Sequence, residues 1–126
     1  MRPLFKRRKR VLLLDDDPSM QRLIARILGN EGFRVDVFHA GSQAIAALER
    51  ETYDVVLLDL MMPVEGGMTV IRHLRGKNAA MLKRSILVTA SPDSLIDALS
   101  GEVSTVVQKP FEPKDLIDAV RRISES

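Results

Sequence analysis

Val11-Leu12-Leu13-Leu14 and Asp54-Val55-Val56-Leu57-Leu58 decide the fold. Once past Asp54, each is a short apolar run, without the alternation of polar and apolar residues that marks a strand with one wet face. A strand that is apolar on both sides is buried on both sides, the habit of parallel sheets covered by helices. Between the two runs the period changes. Asp17-Pro18 reads as a helix start, with Asp17 as N-cap and proline at the first helical position, where its missing N–H is not needed. Met20, Leu23, Ile24, Ile27 and Leu28 then recur at i, i+3, i+4, i+7 and i+8, which is one helical face. Gly29 and Gly32 bracket its end.

Outward from these runs the alternation continues. Residues 33–38 read as a strand and 42–51 as a helix with Ile45 and Leu48 facing in. After the strand 54–58 comes a helix over 66–75, with Val70, Ile71 and Leu74 inward. Strand 85–89, a short helix over 92–99 and strand 105–108 follow. The last helix, 113–123, carries Leu116, Ala119, Val120 and Ile123 at helical spacing. Five strands alternating with five helices predict an α/β fold, a doubly wound five-stranded parallel sheet with helices on both faces. In such sheets ligands sit at the carboxyl ends of the strands, where strand order reverses.

Bulk composition bounds the rest. The 126 residues are 45% hydrophobic and 29% charged, ordinary for one globular domain. Cysteine is absent, which removes disulfides, thiolate metal sites and a cysteine nucleophile and fits a reducing cytoplasm. No apolar run approaches the roughly 20 residues of a membrane span, and no signal-peptide pattern follows the basic start. The net charge of +2 is unevenly placed: six of the 19 basic residues lie in 1–10, without an acid. The remaining 13 face 17 acids, so residues 11–126 carry −4. The division is therefore a basic N-terminal arm, 1–10, and a domain, 11–126. The arm lacks aromatics beyond Phe5, and no helix-turn-helix segment accompanies it, so direct DNA binding is not expected.

The chemistry lies at the strand ends. Asp15, Asp16 and Asp17 follow the first strand, Asp59 the third, and Lys109 the fifth; Thr89 closes the fourth. A flavodoxin-like order, 2-1-3-4-5, would gather them around one crevice; that order is taken from such folds and not read from this chain. Clustered carboxylates repel one another, and all-oxygen ligands suit Mg²⁺. A carboxylate can also attack phosphorus, and catalysis of phosphoryl transfer is then chiefly positioning and cationic clamping. Asp17 reads as a helix cap instead, and His39 and His73 as solvated or capping residues without metal partners.

Four segments resemble the signatures of response-regulator receivers, in order and spacing: Leu13-Leu14-Asp15-Asp16-Asp17-Pro18; Asp59-Leu60-Met61-Met62-Pro63 followed by Gly67; Thr89-Ala90; and Lys109-Pro110-Phe111. The resemblance covers about residues 11–124. It implies that Asp59 is the phosphoacceptor, and that Asp16, Asp15 through a water, Asp59 and the Met61 carbonyl hold Mg²⁺. It implies that Lys109, Thr89 and the Ala90 N–H bind the phosphoryl group, and that the Lys109-Pro110 bond is a cis candidate. It further implies a sensor histidine kinase or histidine phosphotransfer protein as donor, a downstream protein target, and a weak homodimer. The expected role is a single-domain regulator that catalyses only its own phosphoryl transfer and dephosphorylation, not an enzyme acting on a separate substrate.

The chain departs from the family pattern at three places. The position three before Lys109, often Tyr or Phe, is Val106, so the usual inward swing of a ring is not available. A backbone shift of 90–104 is the expected substitute, and unchanged chemical shifts there on phosphorylation would refute it. The stretch from Thr89 to Lys109 is about two residues short, so the fourth helix or its loop should be trimmed. Met61 stands where a polar side chain is common, which predicts slow self-dephosphorylation. Two other readings compete: a phosphate-independent binding scaffold, and a haloacid-dehalogenase-like phosphatase starting at Asp15-Asp16-Asp17. The second would need a further acidic metal site from Glu112, Asp115, Asp118 or Glu125 and leaves Asp59 idle.

Overall fold

The computed structural model describes residues 7–126. Five strands form one sheet: β1 (Arg10–Leu14), β2 (Arg34–Phe38), β3 (Val55–Leu58), β4 (Ser85–Thr89) and β5 (Thr105–Gln108). Every neighbouring pair is parallel, in the order β2-β1-β3-β4-β5 taken above from flavodoxin-like folds. The helices are α1 (Pro18–Asn30), α2 (Gly41–Arg50), α3 (Gly67–Lys77), α4 (Ala79–Leu82), α5 (Asp93–Leu99) and α6 (Pro113–Ser124). That is one more than the five expected. The addition is α4, a single turn, too short to show a helical period. Its start is set by the Asn78 side chain, which accepts the Met81 N–H at 3.3 Å.

The apolar runs feed two cores. Val11 and Leu13 pack with Ile24 and Leu28 of α1 and Leu116 and Val120 of α6. Leu12 and Leu14 join the opposite layer, with Ala47 of α2 and Val70, Ile71 and Leu74 of α3. Successive residues of a strand face opposite ways, so a strand between two helical layers must be apolar at every position. Each such side chain contributes roughly 1.5–3 kcal/mol on burial. On α2 the expectation shifts slightly. Ile45 and Leu48 are half-buried, while Gly41, Ala44 and Ala47 make the closest contact. Val106 is half-buried against the α3 side of the sheet, paired with Leu87. The helix between β4 and β5 is α5, seven residues long.

Arg10, assigned to the basic arm from sequence, opens β1. Its guanidinium lies 2.9 Å from both Asp36 and Glu51 and 4.8 Å from the Tyr53 ring centre. The Tyr53 hydroxyl donates to Asp36 at 2.7 Å, and the Arg10 N–H donates to Asp54 at 2.7 Å. Burial alone would push the Asp36 carboxyl up; the bonds from Tyr53 and Arg10 outweigh it and hold the group below its ordinary range. The brace ties β1, β2 and the approach to β3 together at the amino end of the sheet. Residues 1–6 of the arm lie outside the described residues.

Candidate functional site

The order in which the chain adds strands reverses between β1 and β3, and the crevice opens at their carboxyl ends. The ladder hydrogen bonds run one residue past the strands and fix the residues there. The Asp15 N–H donates to the Phe38 carbonyl at 3.1 Å, and the Asp59 N–H to the Leu14 carbonyl at 3.1 Å. The Lys109 N–H donates to the Thr89 carbonyl at 3.0 Å. Three functional side chains thus stand on backbone that is still part of the sheet. The Lys109-Pro110 bond is cis, as anticipated.

The side chains converge. Asp15 and Asp59 are 1% and 5% exposed, which marks them apart from ordinary surface carboxylates. Lys109 Nζ donates to Asp15 Oδ2 at 2.8 Å and to Asp59 Oδ2 at 3.2 Å. Burial would lower the Lys109 ammonium; the bond to Asp15 and the charges of Asp15 and Asp59 outweigh burial and raise it. Asp59 Oδ1 accepts the Met61 N–H at 2.9 Å and the Thr89 hydroxyl at 3.1 Å. Asp16 is exposed at the crevice mouth, and its carboxylate reaches within 4.8 Å of those of Asp15 and Asp59. Asp17 caps α1 as expected, accepting the Ser19 N–H at 2.9 Å. Ala90 is exposed immediately after Thr89, and Met61 is 57% exposed beside Asp59.

The loop after Asp59 is held at both ends. The Gly67 N–H donates to the Asp59 carbonyl at 2.8 Å. A β-carbon on Gly67 would stand 2.8 Å from that carbonyl oxygen, so only glycine fits. Glu65, at φ +41°, accepts the Gly41 N–H on its carbonyl at 2.6 Å and the Ser42 N–H on its side chain at 3.1 Å. It therefore supplies the cap that α2 lacks from its own residue, Ala40. His39 is exposed; His73, within α3, is half-buried rather than solvated or capping, 4.0 Å from Glu49 of α2.

Two partners at the site were not legible in advance. Gln21 donates from its amide to the Asp15 carbonyl and steadies the β1–α1 turn. Ser91, buried, sits against the Thr89 hydroxyl at 2.8 Å. Its signal was its place two residues after Thr89, the same side of an extended chain. Asp115 and Asp118 line an open groove between β5 and α6, with Phe111 and Arg122, and do not enter the crevice.

Known proteins agree with this architecture. The family model described as "Response regulator receiver domain" matches residues 11–121. The chain belongs to that family. It is 38% identical over 116 residues to the DNA-binding response regulator MtrA of Mycolicibacterium smegmatis, covering 90% of this chain and 50% of that protein. It is 34% identical to the transcriptional regulatory protein CpxR of Klebsiella pneumoniae, over 90% of this chain and 48% of that one. The chain thus spans about half the length of these curated relatives. Among solved structures it resembles the response regulator TrrA of Thermotoga maritima, solved in complex with Mg(2+)-BeF. That pair is 30% identical, with a TM-score of 0.81 over 91% of this chain and 98% of the other. It also resembles the receiver domain of a Pseudomonas aeruginosa sensor histidine kinase, solved with magnesium in the active site cleft. There the identity is 28% and the TM-score 0.84, over 95% of this chain and all of the other. No helix among the described residues is long and apolar enough to cross a membrane.

Proposed function

We propose that this receiver accepts a phosphoryl group on Asp59 from the phosphohistidine of a sensor histidine kinase or histidine phosphotransfer protein. The observation that carries this is the buried Asp59 carboxylate, bonded to Lys109 and Thr89 at the mouth of a crevice shared with Asp15 and Asp16. The donor set fits a hard divalent cation. It offers three carboxylates against one ammonium, all oxygen ligands, with their oxygens within 4.8 Å of one another. Mg²⁺ holds oxygens at about 2.0–2.1 Å, so a small closure of the side chains suffices. Asp15, Asp16, Asp59 and the Met61 carbonyl would hold it, and it would supply positive charge to the oxygens of the transferring group.

The chain's own residues do the rest. An Asp59 oxygen forms the new O–P bond as the N–P bond to the donor histidine breaks, and the electron pair leaves with the imidazole. Lys109, paired with both carboxylates beforehand, turns to the phosphoryl oxygens and offsets their charge. The Thr89 hydroxyl and the Ala90 N–H donate to the same group. The chain transforms no separate substrate; it processes only its own aspartyl phosphate. The output is phosphorylation-dependent binding of a downstream protein, or onward transfer to another histidine, with a weak homodimer as a further partner state. We place this work in the cytoplasm and assign the chain no direct DNA contact, since residues 11–126 carry −4 and the basic arm has no interleaved aromatics beyond Phe5 and no helix-turn-helix segment beside it.

The test is intact mass after incubation with Mg²⁺ and acetyl phosphate, with Asp59→Asn as control. The wild type should gain one phosphoryl group and the variant none. A folded wild type that gains nothing from acetyl phosphate or from a phosphohistidine donor would overturn the reading and favour the scaffold alternative.

Lifetime follows from Met61. Its side chain is exposed beside Asp59 and cannot orient an attacking water, since a thioether is a weak acceptor and no donor. Met61→Asn should shorten the lifetime of the phosphorylated form several-fold, followed by mass after donor removal. An unchanged lifetime would sink the argument.

A further inference from the structure

Thr89 Oγ1 makes three contacts, all among buried groups. It donates to Asp59 Oδ1 at 3.1 Å, it accepts the Ser91 N–H at 3.2 Å, and it lies 2.8 Å from Ser91 Oγ. A hydroxyl has one proton and two lone pairs. A carboxylate oxygen only accepts, so the Thr89 proton is committed to Asp59. The remaining contact is then settled: Ser91 must donate its own hydroxyl proton to Thr89. Ser91 fills both lone pairs of Thr89, one from its N–H and one from its O–H. The Ser91 side chain is 3% exposed and has no other partner among the described residues.

We propose that Ser91 is a positioning residue for Thr89. It fixes which way the Thr89 proton points before the phosphoryl group arrives, and a chain of two hydroxyls polarises that proton. This rests on Asp59 being the phosphoacceptor. Without the Ser91 hydroxyl, Thr89 keeps an open lone pair and turns more freely about its side-chain bond. The Thr89 donor then reaches the phosphoryl oxygen less often in the transition state. The loss should then fall on the saturated rate, since the Thr89 contact is stronger in the transition state than with bound donor.

The experiment is a double-mutant cycle on the rate of phosphoryl uptake from acetyl phosphate with Mg²⁺, in the wild type, Ser91→Ala, Thr89→Val and the double variant. Ser91→Ala should slow the saturated rate about threefold to tenfold, the span of one neutral hydrogen bond, with the half-saturating donor concentration unchanged. In the Thr89→Val background the same change should do nothing further, because its effect runs through the threonine hydroxyl. Circular dichroism and Mg²⁺ affinity establish that each variant is folded. A wild-type rate in Ser91→Ala overturns the proposal. So does an equal loss in both backgrounds, which would mean that Ser91 acts on the phosphoryl group directly. A wild type that takes up no phosphoryl group removes the functional reading itself, and this proposal with it.

Discussion

Lys109→Ala unfolds at a clearly lower urea concentration than the wild type when no divalent cation is present, and Mg²⁺ returns part of the loss. Lys109 is the one cation that contacts Asp15 and Asp59 among the described residues, at 2.8 and 3.2 Å. The two carboxylate side chains are 1% and 6% exposed. Removing one partner of a buried ion pair leaves an uncompensated charge and costs about 3–5 kcal/mol. Here two charges lose their partner, and they also face each other. A divalent cation supplies the missing charge, so the deficit should shrink as Mg²⁺ is added. Uptake of phosphate should not return with it, because the metal does not replace the ammonium at the phosphoryl oxygens. Lys109→Arg separates the two roles. It keeps the charge and much of the stability, but its wide planar fork does not fit a position built around a point charge. Urea midpoints with and without Mg²⁺, beside intact mass, read both. A Lys109→Ala midpoint equal to that of the wild type in chelator would refute the electrostatic account.

The second large effect is expected at Gly67. A β-carbon there meets the Asp59 carbonyl oxygen at 2.8 Å and the Leu60 Cδ2 at 3.0 Å. The side-chain atom can move; the carbonyl belongs to the residue that carries the site. Gly67→Val therefore displaces the Asp59 backbone, and with it a carboxylate held by Lys109, Thr89 and the Met61 N–H. Misplacing a reacting group by about 1 Å can cost about 100-fold in rate. Overpacking adds about 1–3 kcal/mol of destabilisation. Gly76→Ala is the control. It lies in the same helix, a β-carbon there meets nothing within 4 Å, and it should stabilise by roughly 0.5–1 kcal/mol. Uptake rates and urea midpoints of the two variants decide the matter. Wild-type uptake in a folded Gly67→Val would show that the loop relaxes without moving Asp59.

The contrast between these glycines shows what a sequence carries. Asp15, Asp59, Thr89 and Lys109 were legible as residues at the carboxyl ends of predicted strands; that they meet in one crevice followed from the strand order borrowed from flavodoxin-like folds and from the family resemblance. The two buried cores were legible because an uninterrupted apolar strand has only one environment. Glu65, Ser91 and Gln21 were not. Each acts through a contact fixed by tertiary geometry: Glu65 on a helix start 23 residues away, Ser91 on a hydroxyl two residues back, Gln21 on a carbonyl across a turn. No period marks such contacts, and the spacing of Ser91 from Thr89 is a signal only once Thr89 is known to matter. The single turn α4 escaped because four residues cannot display a repeat. Arg10 was grouped with the charges before it because charge runs ignore where a strand begins; its partners Asp36 and Glu51 come from other segments.

The Arg10 brace also gives the molecule a handle. All five strands run the same way, so Arg10 and Asp15 stand at opposite ends of β1, about 16 Å apart at the usual rise per residue. The brace of Arg10, Asp36, Glu51 and Tyr53 stands at one end, and the cluster of Asp15, Asp16 and Asp59 at the other. A tag, surface or fused module joined ahead of Arg10 therefore leads to a fastened corner, at the opposite end of β1 from the crevice. The protein can be held there without covering the crevice.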